Sequence, residues 1–133
     1  MSFADPTSIT YAGASKTLPR TGSSANESIY RLSDTGGVVY ELRLSHAFAD
    51  ISGRQSGKNA GQGQRNRAVA RLTRNALVAD PLATGQSLPS SMSATFTMDF
   101  PVLLTAADAQ ALGNALVAFL SSGNLLKLAA GET

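Results

Sequence analysis

Cysteine and tryptophan are absent from this 133-residue chain, and histidine occurs once. Without cysteine there is no disulfide framework, no zinc–thiolate site and no thiol nucleophile. Charge is scarce as well: charged residues make up 15% of the chain, against 43% hydrophobic. That balance excludes a disordered chain and fits a single globular domain with one core. No apolar run approaches the length of a membrane span, so no membrane partner is expected. The opening MSFADPTSIT has neither a basic region nor a long apolar run, so a soluble product of a cytoplasm is expected rather than a secreted one.

Catalytic and cofactor motifs are missing too. GRQSGKN, from Gly53, resembles a phosphate loop, but three residues rather than four precede Gly57-Lys58, and Asn59 stands where a magnesium-binding hydroxyl belongs. His46 falls on the apolar face of a predicted strand, where a packed, hydrogen-bonded imidazole is expected rather than a general base. Nothing places a serine and a carboxylate beside it. NES at Asn26 matches a glycosylation acceptor but has no meaning without a secretory route. No metal, no cofactor and no enzymatic activity are expected.

What the chain does have is an uneven distribution of positive charge. Six cations (Arg54, Lys58, Arg65, Arg67, Arg71 and Arg74) lie within residues 51–79, a stretch with no acid. The rest of the chain carries five cations against nine acids. A local basic stretch on a near-neutral protein is an anion-binding surface in waiting. Its centre is RNRAVARLTRNA, residues 65–76. Read as a strand over residues 68–78, it puts Val69, Arg71, Thr73 and Asn75 on one face. Ala68, Ala70, Leu72 and Ala76 take the other, with Arg74 out of place among them. Ala, Arg and Leu suit a helix equally well, so the neighbouring segments arbitrate.

Those neighbours alternate. In VYELRLSHAF, residues 39–48, Tyr40, Leu42, Leu44, His46 and Phe48 oppose Glu41, Arg43, Ser45 and Ala47. In SMSATFTMDF, residues 91–100, Met92, Ala94, Phe96, Met98 and Phe100 oppose Ser91, Ser93, Thr95, Thr97 and Asp99. ESIYRLS, residues 27–33, is a further predicted strand ending at the turn signal DTGG. TSITYA and KTLPR flank AGAS as a hairpin. The period then changes. TAADAQALGNALVAFLSSGN predicts a helix capped by Thr105 and Asp108 and stopped at Gly123-Asn124. LLKLAA adds a short second one. The helix is more apolar than one sheet requires, which calls for a partner over Leu112, Leu116, Phe119 and Leu120.

The expected fold class is therefore α+β: an antiparallel β-sheet with an N-terminal hairpin, followed by two C-terminal helices. Within one domain spanning 1–133, the hairpin is expected over 1–22, the main sheet over 27–100 and the helices over 105–130.

In order and pattern the chain resembles the coat proteins of the single-stranded RNA bacteriophages. KTLPRTGSSANESIYRLSD resembles that family's second strand, loop and third strand. YELRLS and RNRAVARLTRNA resemble two strands of its RNA-facing surface, and SATFTMDF with the terminal helices resembles its C-terminal part. The resemblance implies an interlocked homodimer with a continuous sheet, assembled into an icosahedral shell around viral RNA. It implies a place in the virion, after assembly in a bacterial host cytoplasm. It also implies an inner sheet face that binds RNA, including a translational-operator hairpin. On that face Arg43 and Arg71 are expected to meet phosphates, and Ser45 and Thr73 an unpaired base edge. Asn75, Ser93 and Thr95 share the surface, and Arg65 and Arg67 meet phosphates less specifically at the strand entrance. The loop DPLATGQSLPSS is expected to join dimers in the shell. Two features depart from the family: a long Gly/Gln-rich connection over residues 50–66, and Ser91 where some members carry a base-stacking tyrosine. The alternative is a small cellular RNA-binding protein that uses the same basic face.

Overall fold

The structure, a computed structural model, describes residues 3–48 and 65–132. Strands come first and helices last, the expected α+β order. The described residues form two compact units: 3–47 with 68–97, and 48 with 65–67 and 98–132. The connection over residues 50–64, with its phosphate-loop-like segment, lies outside the described residues.

The chain opens with a hairpin of β1 (Thr7–Tyr11) and β2 (Ala14–Leu18), paired Thr7 to Leu18, Ile9 to Lys16 and Tyr11 to Ala14. Ile9, Tyr11, Lys16 and Leu18 on this face are covered to varying degrees, while Ser8, Thr10, Ser15 and Thr17 on the other are exposed. Ala12 and Gly13 make the two-residue turn, with φ of 50° and 80°. Both values are positive, as a hairpin turn matched to strand twist demands. Glycine adopts such a φ freely; alanine does so at a cost of about 1 kcal/mol.

The hairpin closes at Leu18. Arg20–Ser23, which sequence alone groups with it, is β3, an edge strand of the larger sheet. Next come β4 (Glu27–Ser33), β5 (Val39–Ala47), β6 (Arg65–Ala79) and β7 (Ser87–Pro101), in the order β3-β4-β5-β6-β7. Pairing with strands on both sides overrides the helix propensity of β6. Strand β7 starts four residues before the predicted segment and includes Pro89. It lies at the sheet edge, where a missing N–H breaks no ladder.

Tyr30 pairs with Leu42, Leu32 with Tyr40 and Ser28 with Leu44, so the even-numbered residues of β4 and β5 share a face. The hairpin covers that face. Leu18, Tyr30 and Tyr40 are buried, with Ile9, Tyr11, Leu32, Val38, Leu42 and Leu44 packed around them. The Tyr11 and Tyr40 rings lie 5.4 Å apart, and the Lys16 ammonium sits 5.9 Å over Tyr40 while ion-pairing with Asp34. Asp34 also accepts the Thr35 N–H at 2.8 Å, capping the single turn Thr35–Gly37 between β4 and β5. Lys16 first, and then this N–H, hold the Asp34 carboxyl below the ordinary carboxylate range. Arg20 donates to the Tyr30 hydroxyl at 2.8 Å and to the Phe3 carbonyl at 3.0 Å, fastening the N-terminal segment to β4. Cover on this face of β5 fades past Leu44. His46 is consequently exposed rather than packed as the alternation suggests.

In the second unit, α1 (Ala106–Phe119) begins at a complete capping box. Thr105 Oγ1 accepts the Asp108 N–H at 3.2 Å, and the Asp108 carboxylate accepts the Thr105 N–H at 3.1 Å. The expected stop at Gly123-Asn124 is instead a wide π turn, Leu120–Asn124, that leads directly into α2 (Leu125–Ala129). Gly123 reverses the backbone there at φ 87°, and the Asn124 amide donates to the Phe119 carbonyl at 2.9 Å.

Ala12 offers a direct test of the hairpin's contribution. Asn tolerates positive φ, so Ala12→Asn is expected to stabilise the protein by up to about 1 kcal/mol. Thermal unfolding measures it; a lower midpoint for the variant would contradict a turn of this type.

Candidate nucleic-acid interface

The hairpin gives the sheet two unlike faces. Even-numbered residues of β4 and β5 lie beneath it, which leaves Glu27, Ile29, Arg31 and Ser33 of β4 facing away beside Val39, Glu41, Arg43 and Ser45 of β5. Arg74 assigns the faces of β6. Its guanidinium stacks on the Tyr11 ring, 5.2 Å from the centroid, so Arg74 lies on the hairpin side. Arg71, Thr73 and Asn75 therefore lie on the far side with Arg43, as the strand alternation predicts. The misfit arginine of the sequence pattern thus meets an aromatic ring, although its Nε is buried without a hydrogen-bond partner among the described residues.

Each predicted site residue then finds a definite setting. Arg71 is exposed and donates to Ser93 Oγ at 3.4 Å; among the described residues it has no carboxylate partner. Ser93 and Thr95 are exposed on β7. Ser45 and Thr73 are half-buried on the neighbouring strands β5 and β6. Asn75 is exposed and lines a shallow depression with Gly37, Leu77, Pro89 and Ser91.

Arg43 is less available than its sequence setting suggests, because its Nε is ion-paired with Glu27 of β4. The pairing is diagonal: Glu27 stands opposite Ser45, and Arg43 opposite Ile29. In the other unit, Arg65 and Arg67 share one carboxylate. Both donate to Asp99, Arg67 at 3.1 Å, and Arg65 donates also to the Asp99 backbone carbonyl at 3.1 Å. Arg65 first, then Arg67, hold the Asp99 carboxyl below the ordinary range. The basic stretch contains no acid, yet β7 brings one to it.

Sequence reasoning missed Arg31, which sits exposed on the same face, paired in register with Glu41. The signal was present: Glu27, Ile29 and Arg31 alternate against Ser28, Tyr30 and Leu32. The face carried by β4 and β5 with Arg71 thus holds three arginines against two carboxylates, Glu27 and Glu41. It is mildly cationic, lined with hydroxyls and amides, and able to meet phosphates and base edges without a deep pocket.

The helices present a different surface. Leu112, Leu116 and Phe119 form one stripe of α1, with exposures of 75%, 47% and 62%, and Leu120 is half-buried. Leu125, Leu126 and Leu128 of α2 are also exposed.

No family model and no curated protein matches the chain by sequence. Solved structures match it in fold. The virus-like particle of Beihai levi-like virus 21 has a TM-score of 0.70 at 11% identity, over 96% of this chain and 94% of that one. The virus-like particle of bacteriophage ESE058 has a TM-score of 0.68 at 14% identity with the same coverage. For the virus-like particle of bacteriophage AVE019 the values are 0.65 and 14%, over 90% and 87%. At such identities the likeness is one of fold.

Removing the Arg74 guanidinium strips Tyr11 of its cationic partner. Arg74→Ala is expected to destabilise the protein by about 1 kcal/mol and to speed amide exchange in the hairpin. Unchanged exchange at Ile9 and Tyr11 would show that the stacking does not hold the hairpin.

Proposed function

We propose that this chain, which has the fold of levi-like phage shell subunits, is itself a coat protein that dimerises, assembles into an icosahedral shell and binds single-stranded RNA on the odd-numbered face of its sheet. The observation that carries the proposal is the shared fold over 96% of the chain. The role is structural, not enzymatic.

Two features support a dimer. Strand β7 is a fifteen-residue edge, whereas the opposite edge, β3, has four residues. A long open edge invites pairing, and joining two copies there makes one continuous sheet. The helices supply the second feature: Leu112, Leu116 and Phe119 lie open in the single chain, and covering such a side chain contributes about 1.5–3 kcal/mol. A second copy that lays its helices across this chain, and receives the same in return, interlocks the pair. The shell then closes around RNA, and the odd-numbered sheet face is its lining.

On that lining Arg71 is the principal phosphate contact, since it alone of the four predicted arginine contacts lacks a carboxylate among the described residues. Arg31 and Arg43 add to it. Ser45 and Thr73 present hydroxyls to unpaired bases. With Ser91 in place of an aromatic platform, stacking contributes little, and binding is dominated by phosphates and therefore by salt. Such a surface packages RNA broadly; recognition of an operator hairpin rests on the hydroxyls.

Particle formation tests the assembly. Size-exclusion chromatography and negative-stain microscopy of the expressed protein should show uniform particles, whereas a small dimer that binds RNA and never assembles would favour a cellular RNA-binding protein. Phe119→Asp places an unpaired charge in the covered helix contact, at a cost of several kcal/mol after relaxation. It is expected to abolish particles and leave aggregated or unfolded chain; normal particles from this variant would overturn the helical interface.

RNA binding is tested by titrating RNA at several salt concentrations. Arg71→Ala should weaken binding and reduce the slope of log K against log salt by about 0.7, the share of one phosphate on a single strand. Arg74→Ala should leave the slope unchanged. A slope altered by Arg74→Ala but not by Arg71→Ala would mean that RNA binds the hairpin side.

A further inference from the structure

The arginines at the start of β6 raise a question that an RNA-binding role does not answer: why a carboxylate is placed among them. Asp99 lies on β7, and one carboxylate serves two guanidiniums, one oxygen bound by Arg65 and the other by Arg67 at 3.1 Å. If the purpose were only to fasten two strands, one arginine would suffice. Instead the cluster keeps a surplus positive charge, so it still attracts an anion while its donors are occupied.

The exposure of the cluster matters as much as its charge. Arg65 and Arg67 are 53% and 61% exposed, and Asp99 is 31% exposed. Ion pairs so open to water are weak and exchange readily. A carboxylate and a phosphodiester offer a guanidinium the same feature, two oxygens that share a negative charge at the spacing of its fork. An incoming phosphate can thus take over the donors that Asp99 holds. Asp99 remains ionised through the neutral and mildly acidic range, because Arg65 and then Arg67 hold its carboxyl below the ordinary carboxylate value. It therefore competes throughout that range.

We infer that Asp99 is an internal stand-in for RNA phosphate: it holds Arg65 and Arg67 in place in the RNA-free protein and yields them on binding, thereby setting the affinity and salt sensitivity of the interface. The inference rests on the RNA-binding role proposed above. It identifies an affinity-determining acid that contacts RNA only by leaving its place. A purely structural ion pair would behave differently, since its loss would lower stability and leave the salt slope alone.

The test compares wild type, Asp99→Asn, the double variant Arg65→Ala/Arg67→Ala, and the triple variant that combines all three changes. Each is titrated with a short oligouridylate by fluorescence anisotropy at several salt concentrations, and circular dichroism confirms the fold. Asparagine preserves the shape of Asp99 and removes its charge. Asp99→Asn is expected to bind about fivefold more tightly at low salt. Its slope of log K against log salt should steepen by roughly 0.7 to 1.4, for one or two phosphates gained. Both gains should vanish in the triple variant relative to the double. An unchanged slope for Asp99→Asn, with Arg71→Ala still reducing it, would overturn the stand-in and leave the RNA-binding role intact. A gain that persists without Arg65 and Arg67 would overturn it as well, by showing a general charge effect. Absence of RNA binding in wild type and Asp99→Asn alike would overturn both.

Discussion

Closure of the hairpin over Tyr30 and Tyr40 is the contact on which the rest of the sheet depends. Leu18 and Tyr11 descend onto the even-numbered face of β4 and β5, and the ring of Tyr11 meets both Tyr40 and the Arg74 guanidinium. Side chains alternate across a strand, so covering one set commits the other set to the opposite surface. Arg31, Arg43 and Arg71 come together because Tyr30, Tyr40 and Arg74 are occupied elsewhere. A slip of one residue in β5 would exchange Tyr40 for Glu41 beneath the hairpin and leave a carboxylate in an apolar contact. Core packing and the charge of the open face are therefore one constraint, and the Lys16–Asp34 ion pair reinforces it at the margin of the core.

Much of this is legible in the amino-acid order where local chemistry decides. The strand over residues 27–33 appears with its predicted limits, and the strict alternation of residues 39–47 gives both the strand and its faces. Thr105 and Asp108 form the capping box that their spacing announces. Other features depend on what lies across the sheet. Pro89 looks like a loop residue in isolation; inside β7 it is accommodated because that strand is an edge. Gly123-Asn124 looks like a helix stop, yet a π turn carries the chain on into α2. The basic stretch looks unopposed, because its counter-ion, Asp99, reaches it from a strand more than thirty residues further along, just as Glu27 reaches Arg43 from another strand. Hydropathy patterns record faces; they do not record neighbours.

Those counter-ions change what the arginines do. An arginine paired with a carboxylate on the same sheet is held in an extended, oriented form and contributes less to the long-range field. The candidate interface is accordingly moderate in charge. In the proposed role it attracts polyanions without the indiscriminate grip of a fully basic surface: Arg71 has only a serine hydroxyl as partner among the described residues, whereas Arg65 and Arg67, in the other unit, share Asp99. For a surface with the proposed task of gathering a long chain and letting it settle, graded release is more useful than maximal attraction.

Helix α1 has no buried residue in the single chain. With none of its fourteen residues buried, it is marginal as a helix in water, however well capped. In the proposed dimer the order of this segment is governed by mass action: the helix gains its support when a second copy arrives, and loses it on dilution. Under that proposal, folding of the C-terminal third becomes a bimolecular event, with a rate that rises with protein concentration. In such a dimer a newly made chain waits half-finished until enough copies accumulate, and its own abundance signals that the time has come to complete the fold.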